Sequence, residues 1–370
     1  MRILQVARQF YPRVGGIPNA VWYLTKELIS RGHEIHVLSL NRLFQEDKPH
    51  LKSEEVVDDI VIKRIPYFGS RRYAIAPKVL EHAQNYDLIH LHSSDFFLDY
   101  LAATKPIHRK PIVLNTHGLF FHTSFGRNFK QLYFKTVTRL ALKQISVIIC
   151  DSLHDKKLLE PIIAREKLFY IPNGVQYEYL SEFSIDEREQ NKLICVGVLA
   201  PHKRVDLILE TYAYVQQIKP TTKLIIIGPD RGLLNSLQTL CRTLKIENNV
   251  QFTAEIPDKI LYEHLSKASL WLSASEYEGF GIALLEAMAS GCYPIVQPID
   301  SFKQILGNET YNNFANFREP ETAAKTIIDT LNLPTEARNE TVRQLRSRAS
   351  EYSWKKIGSK TEEIYYQTLA

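Results

Sequence analysis

Two carboxylates, Glu278 and Glu286, stand on either side of a glycine-rich turn in the stretch from Ser273 to Gly291, which reads SASEYEGFGIALLEAMASG. An apolar run ends at Ser273, a short loop follows, and a helix opens at the glycines. The free N–H groups and partial positive charge of a helix start suit a phosphate. Carboxylates are poor phosphate ligands but good acceptors for sugar hydroxyls. A diphosphate with a sugar on each side, hexose and ribose, matches an anion site held between two acids. The same residues also describe a plain glycine-rich helix start with two solvated glutamates.

Three more positions carry candidate chemistry. Gly15 and Gly16 follow the first apolar run, where the lack of a Cβ lets backbone approach an anion; an ordinary tight turn is the alternative. Lys203 lies in Gly197-Val198-Leu199-Ala200-Pro201-His202-Lys203-Arg204-Val205-Asp206, where an isolated lysine is normally a solvated surface group. His117 follows the run Pro111–Asn115, a strand-end position that directs it toward a cleft, although a lone histidine is more often structural. No D-x-D occurs, so no closely spaced pair of aspartates for a divalent metal stands out and no cofactor is expected.

These residues need a scaffold that brings strand ends together. Ile/Val/Leu-rich runs at Ile3–Val6, Glu34–Leu40, Val56–Ile65, Asp87–His92, Pro111–Asn115, Ser146–Cys150 and Leu168–Ile171 lack alternation, as buried parallel strands should. Segments of helical period such as Asn19–Arg31 separate them. The pattern restarts with strands at Lys192–Val198, Lys223–Ile227, Val250–Phe252, Ser269–Leu272 and Tyr293–Val296, and helices begin near Val205, Leu233, Asp258 and Ile282. Gln176–Asn191, polar and acidic, is the expected connection, and residues 336–370 read as two more helices. The fold class is α/β, with two Rossmann-like doubly wound domains facing across a cleft, at 1–178 and 179–352, and a last helix of about 353–370 packing back on the first.

The bulk numbers fit an enzyme of this kind. The 370 residues are 45% hydrophobic and 24% charged, ordinary for a globular chain. No apolar stretch is long enough to cross a bilayer, and the first residues turn polar too soon for a secretory signal. Cys150, Cys195, Cys241 and Cys292 are far apart and fit small buried thiols in a reducing cytosol. Charge is unevenly spread, +9 over residues 1–175 and −4 over the rest.

In order and context these motifs resemble glycosyltransferase family 4 over nearly the whole chain. The resemblance takes in Val14-Gly15-Gly16, Ile171-Pro172-Asn173-Gly174-Val175, Gly197–Lys203, Leu224–Gly228, the E-x7-E stretch and Tyr352-Ser353-Trp354. It implies a GT-B fold and retaining hexosyl transfer from a nucleotide-diphosphate sugar to a glycan or lipid-linked acceptor. It places Glu278 on donor-sugar hydroxyls, Glu286 on the ribose, and the amides of Phe280, Gly281 and Ile282 along the sugar and diphosphate. Gly15 and Gly16 would meet the diphosphate or the acceptor. Lys203 would neutralise the leaving diphosphate without a metal, and His117 would stand beside the reacting carbon. One departure stands out: the family pattern G-R-L-x-x-x-K-G has Val198 at its arginine and Arg204 at its last glycine. Loss of that cation is worth roughly 100-fold in rate if nothing replaces it; Arg204 and His202 are the nearby candidates.

The first half also interleaves bases with aromatics. Lys63, Arg64, Arg71, Arg72 and Lys78 occupy one acid-free stretch, and Arg127, Lys130, Lys135, Arg139 and Lys143 mingle with Phe120, Phe121, Phe125, Phe129, Tyr133 and Phe134 in another. Such a mixture suits an anionic membrane surface or a pyrophosphate-linked lipid acceptor; a half-buried helix with snorkelling cations is the alternative. No nucleic-acid motif accompanies it. The expected location is the cytosol, peripheral at the inner membrane face. The rival readings are a catalytically impaired GT-B scaffold subunit, a GT-B nucleotide-sugar epimerase, and a basic nucleic-acid-binding module.

Overall fold

A computed structural model describes residues 1–44, 50–71, 73–118, 133–182, 188–307 and 313–370. Of the bases and aromatics named above, Arg72, Phe120, Phe121, Phe125, Arg127, Phe129, Lys130 and the side chain of Lys135 lie outside them. The chain forms two compact units, one of Met1–Gly174 with Trp354–Ala370 and one of Val175–Ser353.

The first unit is built on an eight-stranded sheet. Its strands are β1 (Arg2–Ala7), β2 (Glu34–Leu40), β3 (Glu54–Val57), β4 (Ile60–Ile65), β7 (Leu88–His92), β8 (Ile112–Asn115), β9 (Val147–Cys150) and β10 (Leu168–Tyr170). They lie in the order β10-β9-β8-β7-β1-β2-β4-β3, and a separate small hairpin pairs β5 (Phe68–Ser70) with β6 (Tyr73–Ile75). Neighbours are parallel throughout the large sheet except at β3–β4. Both faces are covered, which is why these strands show no polar alternation. Leu4, Leu38, Ile89, Leu114 and Ile148 enter one core, while Ile3, Ile35, Leu88, Val113 and Ile149 enter the other.

One expected element is corrected here. The run Val56–Ile65 is not a single parallel strand but the tight antiparallel hairpin β3–β4, with Val57 opposite Ile60. Asp58 and Asp59 form its two-residue turn at φ 46° and 66°, the positive values that such a hairpin requires. The proposed connection also holds regular structure, a helix at Tyr177–Ser181 and the start of the next strand at Glu189.

The second unit carries the all-parallel sheet β13-β12-β11-β14-β15, formed by β11 (Glu189–Val196), β12 (Lys223–Ile227), β13 (Val250–Thr253), β14 (Ala268–Ser273) and β15 (Tyr293–Val296). In register, Ile194 on β11 has Ile225 on one side and Trp271 on the other. The four cysteines are free thiols, all buried.

The C-terminal helix Trp354–Leu369 belongs to the first unit, where it packs along the helix Gly16–Ser30. It buries Ile357, Ile364 and Tyr365. Gly174 admits it, because a Cβ there would lie 2.4 Å from the Trp354 ring. Among the described residues no helix is long and apolar enough to cross a membrane.

Candidate active site

In a doubly wound sheet, ligands collect at the carboxyl ends of strands where the winding reverses. In the second unit this point is β11, flanked by β12 and β14. The loops after β11 and β14 carry Lys203 and Glu278, and the structure joins them. The Lys203 Nζ donates to both Glu278 carboxylate oxygens, at 2.7 and 2.8 Å. The floor beneath the ammonium is glycine backbone. Gly197 packs along the end of the lysine chain, and a Cβ on Gly228 would fall 2.0 Å from the Gly197 carbonyl oxygen.

The two loops are tied again beside this pair. The Glu276 N–H donates to the His202 carbonyl at 2.9 Å. The Glu276 carboxylate receives Arg204 at 2.7 Å and Arg318 at 2.9 Å. Arg204 also grips Asp206 through two nitrogens. Its backbone is left-handed, φ 47°, the reason a glycine suits this position. Without a ligand Arg204 is thus held by acids, as Lys203 is by Glu278.

Gly281 opens the helix Ile282–Ala289 at φ 112°, and a Cβ there would lie 3.1 Å from Ile305 and 3.2 Å from Phe302. Conformation and space both demand glycine. The first internal donors, Leu284 and Leu285, reach the Gly281 carbonyl, so the amides of Phe280, Gly281 and Ile282 precede the helical ladder. The Phe280 side chain is buried against the Tyr352 ring. Glu286 is half-buried one turn further on, where the Tyr262 hydroxyl donates to it at 3.4 Å. Burial above all, then the negative charge of Asp258, pushes its carboxyl up to about 7. The two acids thus have different surroundings: Glu278 meets an ammonium and Glu286 a phenol.

In the first unit the winding reverses at β1, between β7 and β2. Gly15 caps the helix Gly16–Ser30, with its carbonyl accepting from the Asn19 N–H at 2.9 Å. Gly16 is exposed, and a Cβ there would touch nothing within 4 Å. His117 stands past the end of β8 in a left-handed conformation, φ 45°, followed by Gly118 at φ 83°. Its Nδ1 lies 2.8 Å from Asp151 Oδ2 and its Nε2 lies 3.0 Å from His92 Nδ1. The side chain is only 3% exposed, yet the residue as a whole is half-buried, so what it offers to solvent is main chain. His92, Asp151 and Tyr262 were missed in the sequence. Strand-end position, closing β7 and β9, was the available signal for the first two; Tyr262 gave none.

Two parallel α/β units, each with its polar groups gathered at the strand ends of a winding reversal, define a glycosyltransferase of the GT-B class. Residues 14–179 match the family model described as Glycosyltransferase Family 4, and residues 180–352 match Glycosyl transferases group 1. A GDP-mannose:cellobiosyl-diphosphopolyprenol alpha-mannosyltransferase of Komagataeibacter xylinus is 31% identical over all of this chain and 94% of its own. One of the same name from Xanthomonas oryzae is 31% identical over all of this chain and 97% of its own. The crystal structure of Anabaena HepE in complex with UDP superposes with a TM-score of 0.76 at 18% identity, covering 99% of this chain and 100% of that one. The chain belongs to glycosyltransferase family 4. It is a retaining hexosyltransferase that uses a nucleotide-diphosphate sugar and a glycan or lipid-linked acceptor; the scaffold and epimerase readings are not favoured.

Proposed function

We propose that this enzyme transfers mannose from GDP-mannose, with retention of configuration, to an oligosaccharide carried on diphosphopolyprenol. The observation that carries this reading is the 31% identity, over the full chain, to proteins named for that reaction. The site supplies the chemistry. When the donor binds, its diphosphate takes the Lys203 ammonium from Glu278, and Glu278 turns to the sugar hydroxyls it is then free to accept. The amides of Phe280, Gly281 and Ile282 stabilise charge that develops on the leaving diphosphate, in place of a metal or other cofactor. Glu286, with Tyr262, holds the ribose. Gly15 and Gly16 admit the diphosphate or the acceptor to their backbone, and His117 contributes its main chain beside the reacting carbon. The basic first unit attracts the membrane that carries the acceptor at the cytosolic face; nucleic acid is not a partner.

The test is a donor panel. GDP-mannose at saturation should raise the melting temperature above UDP-glucose or ADP-glucose at equal concentration, because only the bound state gains stability. It should also support transfer to cellobiosyl-diphosphopolyprenol, giving an α-linked product. A larger shift and faster transfer with UDP-glucose would assign a different donor.

A further inference from the structure

His90 and His92 lie two residues apart on β7, so their rings rise from the same face of the sheet, 4.2 Å between centroids. Both are buried. Burial lowers His90 to about 3 and His92 well below the usual imidazole range, so both are neutral. His90 is taken up by the hydroxyl of Tyr365, 2.6 Å from its Nδ1. His92 instead faces His117, ring against ring at 5.2 Å and 25°.

The donor order along this chain follows from what each group can do. His117 Nδ1 lies 2.8 Å from Asp151 Oδ2, and both oxygens of this buried carboxylate are without a hydrogen-bond partner, so its charge favours a proton on Nδ1. With one proton on His117, at Nδ1, the proton in its contact with His92 comes from His92 Nδ1. That leaves His92 Nε2 as an acceptor. It is buried without a protein partner, as is Asn115 Oδ1. Both residues line a small cavity of about 10 Å³ beside Asn173 and Trp354. Such a cavity has room for one water, and the two hydrogens of a water match two acceptors.

We propose that His92 is a positioning residue for this transferase: its Nδ1–H fixes the ring of His117 inward, and so holds the left-handed main chain of His117 and Gly118 where the donor sugar meets it. The inference rests on the proposed place of His117 beside the reacting carbon. Because the ring of His117 is only 3% exposed and its nitrogens face Asp151 and His92, any contact with the substrate comes from its backbone. A residue at φ 45° keeps that backbone only while its side chain is anchored.

Two amide replacements separate hydrogen bonding from filling of space. Asparagine at 92 sets an N–H close to the position of Nδ1, whereas glutamine sets its amide near that of Nε2. His92→Asn should keep kcat within about fivefold of the wild type, and His92→Gln should lose roughly 10- to 100-fold in kcat with little change in donor KM. Melting curves of both variants check that they fold. Nitrogen-15 NMR of the histidine rings in the ligand-free protein should show His117 as the neutral Nδ1–H tautomer in the wild type and in His92→Asn, and a tautomer mixture in His92→Gln. Equal kcat for the two variants, or an Nε2–H tautomer or doubly protonated ring of His117 in the wild type, overturns the proposal. Absence of wild-type transfer from every donor overturns the mannosyltransferase reading instead, and the NMR tautomer alone then decides the donor order.

Discussion

At the scale of single residues, the proposed donor chemistry turns on one ion pair, Lys203 with Glu278. The Lys203 and Glu278 side chains are 19% and 17% exposed, shielded enough for each to matter to the other. A diphosphate must compete with Glu278 for the ammonium, which gives a signed expectation. Glu278→Gln should bind GDP about fivefold more tightly than the wild type by calorimetry, roughly 1 kcal/mol, while transferring far less sugar. Weaker GDP binding by that variant would show that the pair is structural. Lys203→Ala should lose about 100-fold or more in kcat, because the ammonium that offsets the leaving diphosphate is removed. Glu286 adds a pH dependence. Its folded value of about 7 lies above that of an unfolded glutamate, so the folded state holds the proton more tightly. The stability this contributes is complete below about pH 4.5 and declines as pH rises to about 7. Glu286→Gln keeps a neutral group at all pH values. Its melting temperature should therefore gain on the wild type between pH 5 and 7.5, and a constant difference across that range would mean that Glu286 titrates normally.

At the scale of elements, the sequence disclosed what period and strand ends can encode. The β2, β12 and β15 runs were legible to the residue, because a strand buried on both faces is an uninterrupted apolar run whatever surrounds it. The turn at Asp58-Asp59 was not, since apolar residues continue on both sides and neither asparagine nor glycine marks it. The Lys203 and Glu278 loops were legible as strand-to-helix turns, but their ion pair and the double hold of acids on Arg204 are tertiary facts that no spacing encodes. The partnership of His92 with His117 likewise crosses two strands. The approach of Gly228 to the Gly197 carbonyl shows what such crossings demand. Gly228→Ala places a methyl group 2.0 Å from that oxygen at φ 154°, so either β12 or the loop after β11 must move. The expected result is a loss of several kcal/mol in urea unfolding, or, if the loop yields instead, a loss of donor binding at near-normal stability. A variant unaffected in both would mean that the two strand ends do not meet.

At the scale of the whole molecule, charge and surface polarity point the same way. The first unit, residues 1–174 with 354–370, carries +10 against −5 for the second, which is the basis of its proposed attraction to anionic surfaces. Charge alone binds weakly at physiological salt, so stable association needs apolar groups that enter the interface as well. The segment that ends in the helix Arg139–Gln144 supplies both, with Val137 42% and Leu140 65% exposed beside the exposed Arg139 and Lys143. Leu140 and Lys143 are three apart in the helix Arg139–Gln144, which puts them on neighbouring positions of one helical surface. Insertion of a leucine contributes roughly 1.5–2 kcal/mol and each base near an anionic surface about 1 kcal/mol. Sedimentation with vesicles that are one-third anionic phospholipid should therefore bind the wild type at 0.1 M salt and release most of it at 1 M. Leu140→Asp should weaken the partition about tenfold or more, and Lys143→Ala about fivefold. Transfer to a short, water-soluble diphosphate-linked acceptor should stay unchanged in both variants, because neither residue belongs to the donor site. Equal partition of wild type and Leu140→Asp, or binding to neutral vesicles as strong as to anionic ones, would remove this segment from the route by which the enzyme meets a membrane-borne acceptor.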